Sequence, residues 1–287
     1  MELLEVGNGR VVEYLVEGPA GGRPLVMQHG TPGAALVLEP VAAAAARYGL
    51  RFVTHSRPGY GGSTAQPGRR VADVAGDVAA VLDAVGASDF VTIGWSGGGP
   101  HALATAALLP DRCRAAAILA GVAPYDAEGL DWMGGMGEEN VIEFGAAATG
   151  PEALEKFLAE ASAGLKDVQP GDLIEAFGDL LSEVDQAALR DGLADYLATS
   201  CRTAVSRGYD GWRDDDLAFL SDWGIDLAGI RVPISIWQGD QDRMVPHAHG
   251  RWLGAHIPTA TTHFVPGEGH ISLIKNIDTI VATLANI

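Results

Sequence analysis

One stretch of the chain, Gly94-Trp95-Ser96-Gly97-Gly98, sets a serine between glycines two residues before and two after it. A serine hydroxyl is a weak nucleophile until its Oγ is held in the open beside a base. A sharp strand-to-helix turn does this, but it forces strained dihedrals and close backbone approach, which glycines at those offsets permit. With 38 glycines and 11 serines, the pattern G-x-S-x-G arises by chance roughly 0.2 times in a chain of this size, so the setting must separate a nucleophile from a mere glycine turn. The apolar run Phe90 to Ile93 precedes the match, an apolar helical run follows it to about Leu109, and the chain has no second match. That setting predicts Ser96 as a covalent nucleophile.

Such a serine needs an imidazole to take its proton and a carboxylate to orient that imidazole. His270 ends the loop Gly267-Glu268-Gly269-His270, just after the last short β-type run. Its rival His263 lies within that run, and His247, His249 and His256 read as positions on a surface helix. For the acid, Asp240 and Asp242 both follow the apolar run that ends at Trp237, and both qualify by chemistry. The developing oxyanion needs two backbone N–H donors. Gly97 supplies one as the residue after the nucleophile. In His29-Gly30-Thr31-Pro32-Gly33, Pro32 has no N–H and holds Thr31 extended, so Thr31 is expected to supply the other. His29 reads as a satisfied loop histidine, and Arg57 to Gly62 as a brace for that loop.

Four motifs now stand in order: His29-Gly30-Thr31-Pro32-Gly33, Arg57-Pro58-Gly59-Tyr60-Gly61-Gly62-Ser63, the serine turn, and Gly267-Glu268-Gly269-His270. In that order and spacing the chain resembles the α/β-hydrolase superfamily over essentially its whole length. The resemblance implies a triad in the order nucleophile, acid, histidine, with the acid three residues after a glycine. That selects Asp242 and leaves Asp240 to form the turn. The family's alternative acid position reads Ala120-Gly121-Val122 here, with no carboxylate. A serine at the turn is unlike the aspartate-nucleophile haloalkane dehalogenases and epoxide hydrolases. The His-Gly-Thr-Pro-Gly loop is similar to the H-G-G-P-G loop of proline iminopeptidases, which hold a substrate amino terminus with cap glutamates. This chain departs from them at His55-Ser56-Arg57-Pro58-Gly59, where they favour a D-Q-R-G-type segment, and at Gly97, where they carry Trp. Hydrolysis of a small ester through an acyl-enzyme is therefore the leading expectation. A proline iminopeptidase-like aminopeptidase is second, and a small-ligand-binding or sensing protein on the same fold is third.

These residues need a scaffold that brings distant loops to one edge. Short β-type runs (Val11 to Glu17, Leu25 to Gln28, Arg51 to Ser56, Phe90 to Ile93, Ala115 to Leu119, Pro233 to Trp237, His263 to Val265) alternate with helical ones such as Val71 to Val85. That alternation predicts an α/β fold with a mostly parallel central sheet covered by helices. Between 124 and 231 only helical patterns occur: Glu152 to Ala161, Asp172 to Val184, Asp185 to Ala204 and Asp214 to Trp223. Residues 1–123 and 232–287 thus form the core, and 124–231 an inserted helical cap.

The cap carries 23 acids and 7 bases, a net of −16 against −18 for the whole chain. Most of that acidity belongs to solvated helix faces; the sharper alternative is attraction of a cationic group such as a substrate amine. Gly129 to Gly137 mixes glycines with Trp132, Met133 and Met136, which with Trp95 are candidates to line an apolar substrate pocket; the bland reading is a hinge with core-packing side chains. Glu138, Glu139 and Glu143 beside it are the carboxylates best placed to meet an amine.

The charge excludes nucleic acid as an expected partner, since phosphate binding needs a basic surface. The longest stretch without Asp, Glu, Lys or Arg, Phe90 to Pro110, contains a glycine run and Pro100, so it reads as strand, turn and helix and not a membrane span. No H-E-x-x-H, C-x-x-C or phosphate loop occurs, and the expectation is an enzyme with no metal and no cofactor acting on a small molecule. Cys113 and Cys201, 88 residues apart, read as free buried thiols, and the acidic N-terminus lacks an apolar signal region; a cytoplasmic location is expected.

Overall fold

A computed structural model describes residues 1–287, except for the side chain of residue 191. Eight strands form one sheet: β1 (Glu2–Val6), β2 (Arg10–Glu17), β3 (Arg23–Gln28), β4 (Leu50–His55), β5 (Phe90–Trp95), β6 (Cys113–Leu119), β7 (Ile234–Gly239) and β8 (Ala260–Val265). Their order is β1-β2-β4-β3-β5-β6-β7-β8. The β1–β2 and β2–β4 pairs are antiparallel and every later pair is parallel. β5 is buried at all six positions, as expected of a central parallel strand covered on both faces.

The pleat sorts side chains to the two faces. Leu25, Met27, Val91, Ile93, Ala115 and Ala117 pack on one face with the helices α1 (Glu39–Arg47) and, at the C-terminus, Ile277–Ala285. Val26, Val53, Phe90, Ala116 and Ile118 pack on the other with α2 (Val74–Ala84) and α3 (Gly98–Leu108). β1 is absent from the sequence reading because it is an edge strand with no buried position to set up an alternation, and Leu3 is 68% exposed.

Between β6 and β7 the described residues form helices and no strand of the sheet: α4 (Glu138–Thr149), α5 (Pro151–Leu165), α6 (Leu173–Phe177), α7 (Glu183–Ala188), α8 (Ala194–Ala204) and α9 (Asp210–Phe219). Here the boundaries differ from the sequence expectation. The run Asp172 to Val184 is broken at Gly178 (φ +45°), and Asp185 to Ala204 at Gly192 (φ +119°), both in the left-handed region that ends helices. The helix expected from Asp214 starts one turn earlier, at Asp210, and α4 has no counterpart in the expected elements. Two more helices complete the chain, α10 (His247–His256) and α11 (Ile277–Ala285).

Candidate active site

Ser96 stands between the end of β5 and the start of α3 with φ +56°, a conformation that L side chains rarely adopt. The glycines around it are required by contact. A Cβ on Gly94 would lie 2.3 Å from the Gly98 carbonyl oxygen, and one on Gly98 would lie 2.1 Å from the Gln28 carbonyl oxygen. A Cβ on Gly97 would lie 2.3 Å from Thr31 Oγ1, so the two expected oxyanion donors, Thr31 and Gly97, sit against each other beside Ser96. The Thr31–Pro32 peptide bond is cis.

His270 donates from Nδ1 to Asp242, 2.9 Å from Oδ2 and 3.1 Å from Oδ1. Both side chains are buried. Asp242 also accepts from the backbone N–H groups of Met244 (2.9 Å) and Val245 (2.8 Å) and from Gln238 Nε2 (2.9 Å). With Nδ1 carrying the proton, Nε2 is left as the basic nitrogen. Burial alone would push the His270 pKa down, but the Asp242 carboxylate and its hydrogen bond outweigh that, and Asp185 adds to them, so it is raised above its ordinary value. Trp95 packs its ring beside His270, with centroids 6.3 Å apart, and donates from Nε1 to the His270 carbonyl oxygen at 3.3 Å.

The other titratable residues named from sequence are placed as follows. Asp240 is exposed and accepts the Gly267 N–H at 2.8 Å, bracing the loop before His270. His263 stacks on Trp237 in β8, with centroids 4.0 Å apart. His29 donates from Nδ1 to the Gly30 carbonyl (2.7 Å) and accepts the Arg57 N–H (3.2 Å). Burial and the Arg57 charge hold its pKa well below the usual value, so it stays neutral. His249 corrects the expectation of a surface position: it is fully buried, accepts the Ala123 N–H at 3.1 Å and donates to the Trp132 carbonyl at 2.8 Å.

A cavity of about 440 Å³ opens over Ser96 and is lined by Thr31, Trp95 and His270 from the sheet side. From the helical segment it takes apolar groups such as Phe157, Leu165, Phe177 and Trp212, and the carboxylates of Glu139, Glu143 and Glu160. No Lys or Arg lines it. Of the residues expected to line a pocket, Trp95 lines this cavity, whereas Trp132, Met133 and Met136 lie outside it. Trp132 is buried with its Nε1 donating to the Ala123 carbonyl at 2.7 Å and its ring edge-on to Phe144 and His249; Met133 and Met136 pack in the same cluster. Trp132 ties the start of the helical segment to α10 through its contacts with His249.

Behind the Thr31 loop lies a fully buried charge cluster. Asp215 on α9 accepts from Arg57 Nη2 (2.6 Å), Arg69 Nη2 (2.6 Å), Thr31 Oγ1 (2.7 Å) and Tyr60 OH (3.0 Å). Arg57 in turn donates to the carbonyl oxygens of His29 (2.5 Å) and Gly30 (3.0 Å). Asp215 was not singled out from sequence; its only signal was a triple aspartate (214–216) within a helical run.

Beside it, Asp216 is fully buried and neither carboxylate oxygen has an N–H or O–H partner among the described residues; it faces Glu143 instead. Trp212 Nε1 donates to Glu143 Oε1 at 2.6 Å. Burial pushes the Glu143 pKa up to about 7, and burial with the adjacent Glu143 raises that of Asp216 well above its usual value. Two buried carboxyls in contact hold together by sharing a proton.

Comparison with known proteins identifies the family. The model of the alpha/beta hydrolase fold family matches residues 23–277. The chain belongs to that family. It is an α/β-fold hydrolase, with the mostly parallel sheet and helical layers of its relatives. It is 27% identical over 279 residues to a pimeloyl-[acyl-carrier protein] methyl ester esterase of Chromobacterium violaceum, covering 96% of each chain. It is also 27% identical over 253 residues to a non-heme chloroperoxidase of Streptomyces lividans, covering 86% of this chain and 84% of that one. The structure of an esterase from Exiguobacterium antarcticum superposes with a TM-score of 0.71 over 99% of this chain and 97% of that one, at 18% identity. No helix among the described residues is long and apolar enough to cross a membrane.

Proposed function

We propose that this hydrolase cleaves a small carboxylic ester through an acyl intermediate on Ser96. The observation that carries the proposal is the buried 2.9 Å Asp242–His270 pair, whose histidine lines the same cavity as Ser96, a serine at φ +56°. His270 Nε2 takes the Ser96 proton as Oγ attacks the ester carbonyl, and Asp242 holds the tautomer and stabilises the imidazolium. The N–H groups of Thr31 and Gly97 receive the developing oxyanion. The imidazolium then protonates the departing alkoxide, and water, activated by the same nitrogen, frees the acid. Residues 124–231 act as a lid whose apolar inner wall holds the substrate. The ester-cleaving relative supports this choice of substrate class.

The lining supports neutral or amine-bearing substrates over anionic ones, because it offers three glutamates and no Lys or Arg. An aminoacyl substrate, as an aminopeptidase would take, is accordingly the second reading. The test is fluorophosphonate labelling of the wild type and of Ser96→Ala, followed by a panel of simple esters and aminoacyl anilides. Labelling lost in the variant together with ester turnover is expected; labelling that survives the substitution refutes the mechanism, and turnover of anilides but not of esters selects the second reading.

A further inference from the structure

Asp185 lies 85 residues before the proposed catalytic histidine, on the short helix α7 of the inserted segment, and it is fully buried. Its carboxylate is filled by groups from the histidine loop. Oδ2 accepts the His270 N–H at 3.0 Å, and Oδ1 accepts those of Ile271 (2.8 Å) and Ser272 (2.9 Å). The remaining acceptor position on Oδ2 is taken by Ser182 Oγ at 2.8 Å. Gly269 is built for this approach, since a Cβ there would lie 2.3 Å from Asp185 Oδ2 and 2.5 Å from Ser182 Oγ.

These N–H groups open the helical turn Ser272–Asn276, whose first amides have no partner within the turn. Here three consecutive N–H groups, beginning with that of the histidine itself, converge on one carboxylate. A buried carboxylate is costly unless it is hydrogen-bonded at every lone pair, and charge-assisted bonds of this kind are the strong ones. The arrangement fixes the His270 backbone from the lid side, while Asp242 fixes the ring from the sheet side. We infer that Asp185 is a positioning residue for the catalytic base, supplied by the inserted segment, so that His270 is aligned on Ser96 only when the lid is seated. This rests on the triad reading above.

Two further effects follow from that geometry. The Asp185 charge adds to that of Asp242 in holding the His270 proton. The other charged groups of the histidine loop, Glu268 and Lys275, face each other at 3.7 Å and offset one another. Removing the Asp185 charge while keeping its shape therefore lowers the His270 pKa, and a misplaced base costs turnover steeply, about 100-fold for an error near 1 Å.

The experiment measures the rate of fluorophosphonate labelling of Ser96 against pH, which reads the neutral, aligned fraction of His270 with no substrate present. The variants are Asp185→Asn, Ser182→Ala, Asp185→Ala and the exposed α7 control Glu183→Gln. In Asp185→Asn, Oδ1 still accepts two loop N–H groups, so the fold is retained while the charge and the His270 N–H bond are lost. The expected result is a labelling rate and kcat lowered by about 10- to 100-fold, KM little changed, and the acid limb moved to lower pH; Glu183→Gln behaves as wild type. Ser182→Ala keeps the charge and should lower kcat without moving the limb. A limb in the same place in Asp185→Asn as in the wild type overturns the inference even if stability falls, and this holds whether or not Asp185→Ala folds. A wild type whose labelling shows no acid limb at all refutes the triad reading instead.

Discussion

Thr31 Oγ1 donates to Asp215 Oδ2 at 2.7 Å, which ties the loop carrying a proposed oxyanion donor to a helix of the inserted segment. The same carboxylate pairs with both Arg57 and Arg69, all three side chains being fully buried. Removing one partner of such a cluster strands the others without solvent, which costs about 3–5 kcal/mol. Asp215→Ala should therefore lower the urea midpoint by that amount of stability. Thr31→Val should not, because Arg57 retains Asp215, and it keeps the backbone N–H. Loss of a whole oxyanion donor costs about 10²–10³ in kcat, so Thr31→Val should lose much less than that. A loss as large as a missing donor would show that the hydroxyl, and not the N–H, meets the oxyanion.

The two aspartates after β7 separate cleanly. Asp242 is buried and holds His270, whereas Asp240 is exposed and holds only the Gly267 N–H and the Gln241 amide. Asp242→Asn leaves the imidazole in the wrong tautomer, which costs about 10⁴ in kcat in a comparable triad. Asp240→Asn retains an acceptor for Gly267 and should stay near the wild-type rate. Steady-state kinetics on one ester decides the ranking, and a reversed order removes Asp242 from the triad.

The acid limb of kcat/KM should lie above pH 6.5, the ordinary histidine value. His270 must be neutral to accept the Ser96 proton, and Asp242 outweighs burial to raise its pKa. Activity is thus full at alkaline pH and is lost as pH falls through the raised value. A profile flat to pH 5 would remove His270 as the base.

How much of this was written in the sequence depends on the range of the interaction. The Ser96 turn is partly local: Gly94 answers Gly98, whereas Gly97 and Gly98 answer Thr31 and Gln28, distant in sequence, so the spacing needed its strand-and-helix setting to be read. His270 and Asp242 were legible because each lies in the loop that follows a strand, β8 and β7, in the βα alternation. The acid itself needed the family pattern, since Asp240 and Asp242 differ only in burial, which composition does not reveal. Asp185 and Asp215 were not legible at all. Each lies on a helix that reads as an acidic solvated face, and each acts on a loop 85 or more residues away in sequence, so only the packed structure shows that its charge is buried. Trp132 failed for the same reason in reverse: large and apolar beside glycines, it suited a pocket wall, yet its indole N–H is satisfied inside the core by the Ala123 carbonyl.

Glu143 lines the cavity and shares a proton with Asp216. Its pKa is raised from 4.5 in the unfolded chain to about 7 in the folded one. Between those values the unfolded state has released its proton and the folded state has kept it, so stability falls as pH rises through that window. At 1.36 kcal/mol per unit the ceiling is about 3 kcal/mol, and sharing with Asp216 makes the real figure smaller. Glu143→Gln keeps an oxygen for the Trp212 N–H and offers an amide donor to Asp216 in place of the shared proton. The variant should therefore be more stable than the wild type at pH 8 and should lose most of the slope between pH 5 and 7 in thermal unfolding. The same substitution bears on substrate choice. If the pair gives up its proton to meet a cationic group, Glu143→Gln reduces kcat/KM for an aminoacyl ester and leaves its acetylated counterpart untouched. Equal effects on both esters would confine Glu143 to the stability of the wall, and an unaltered slope of stability with pH would show that the buried proton lies elsewhere.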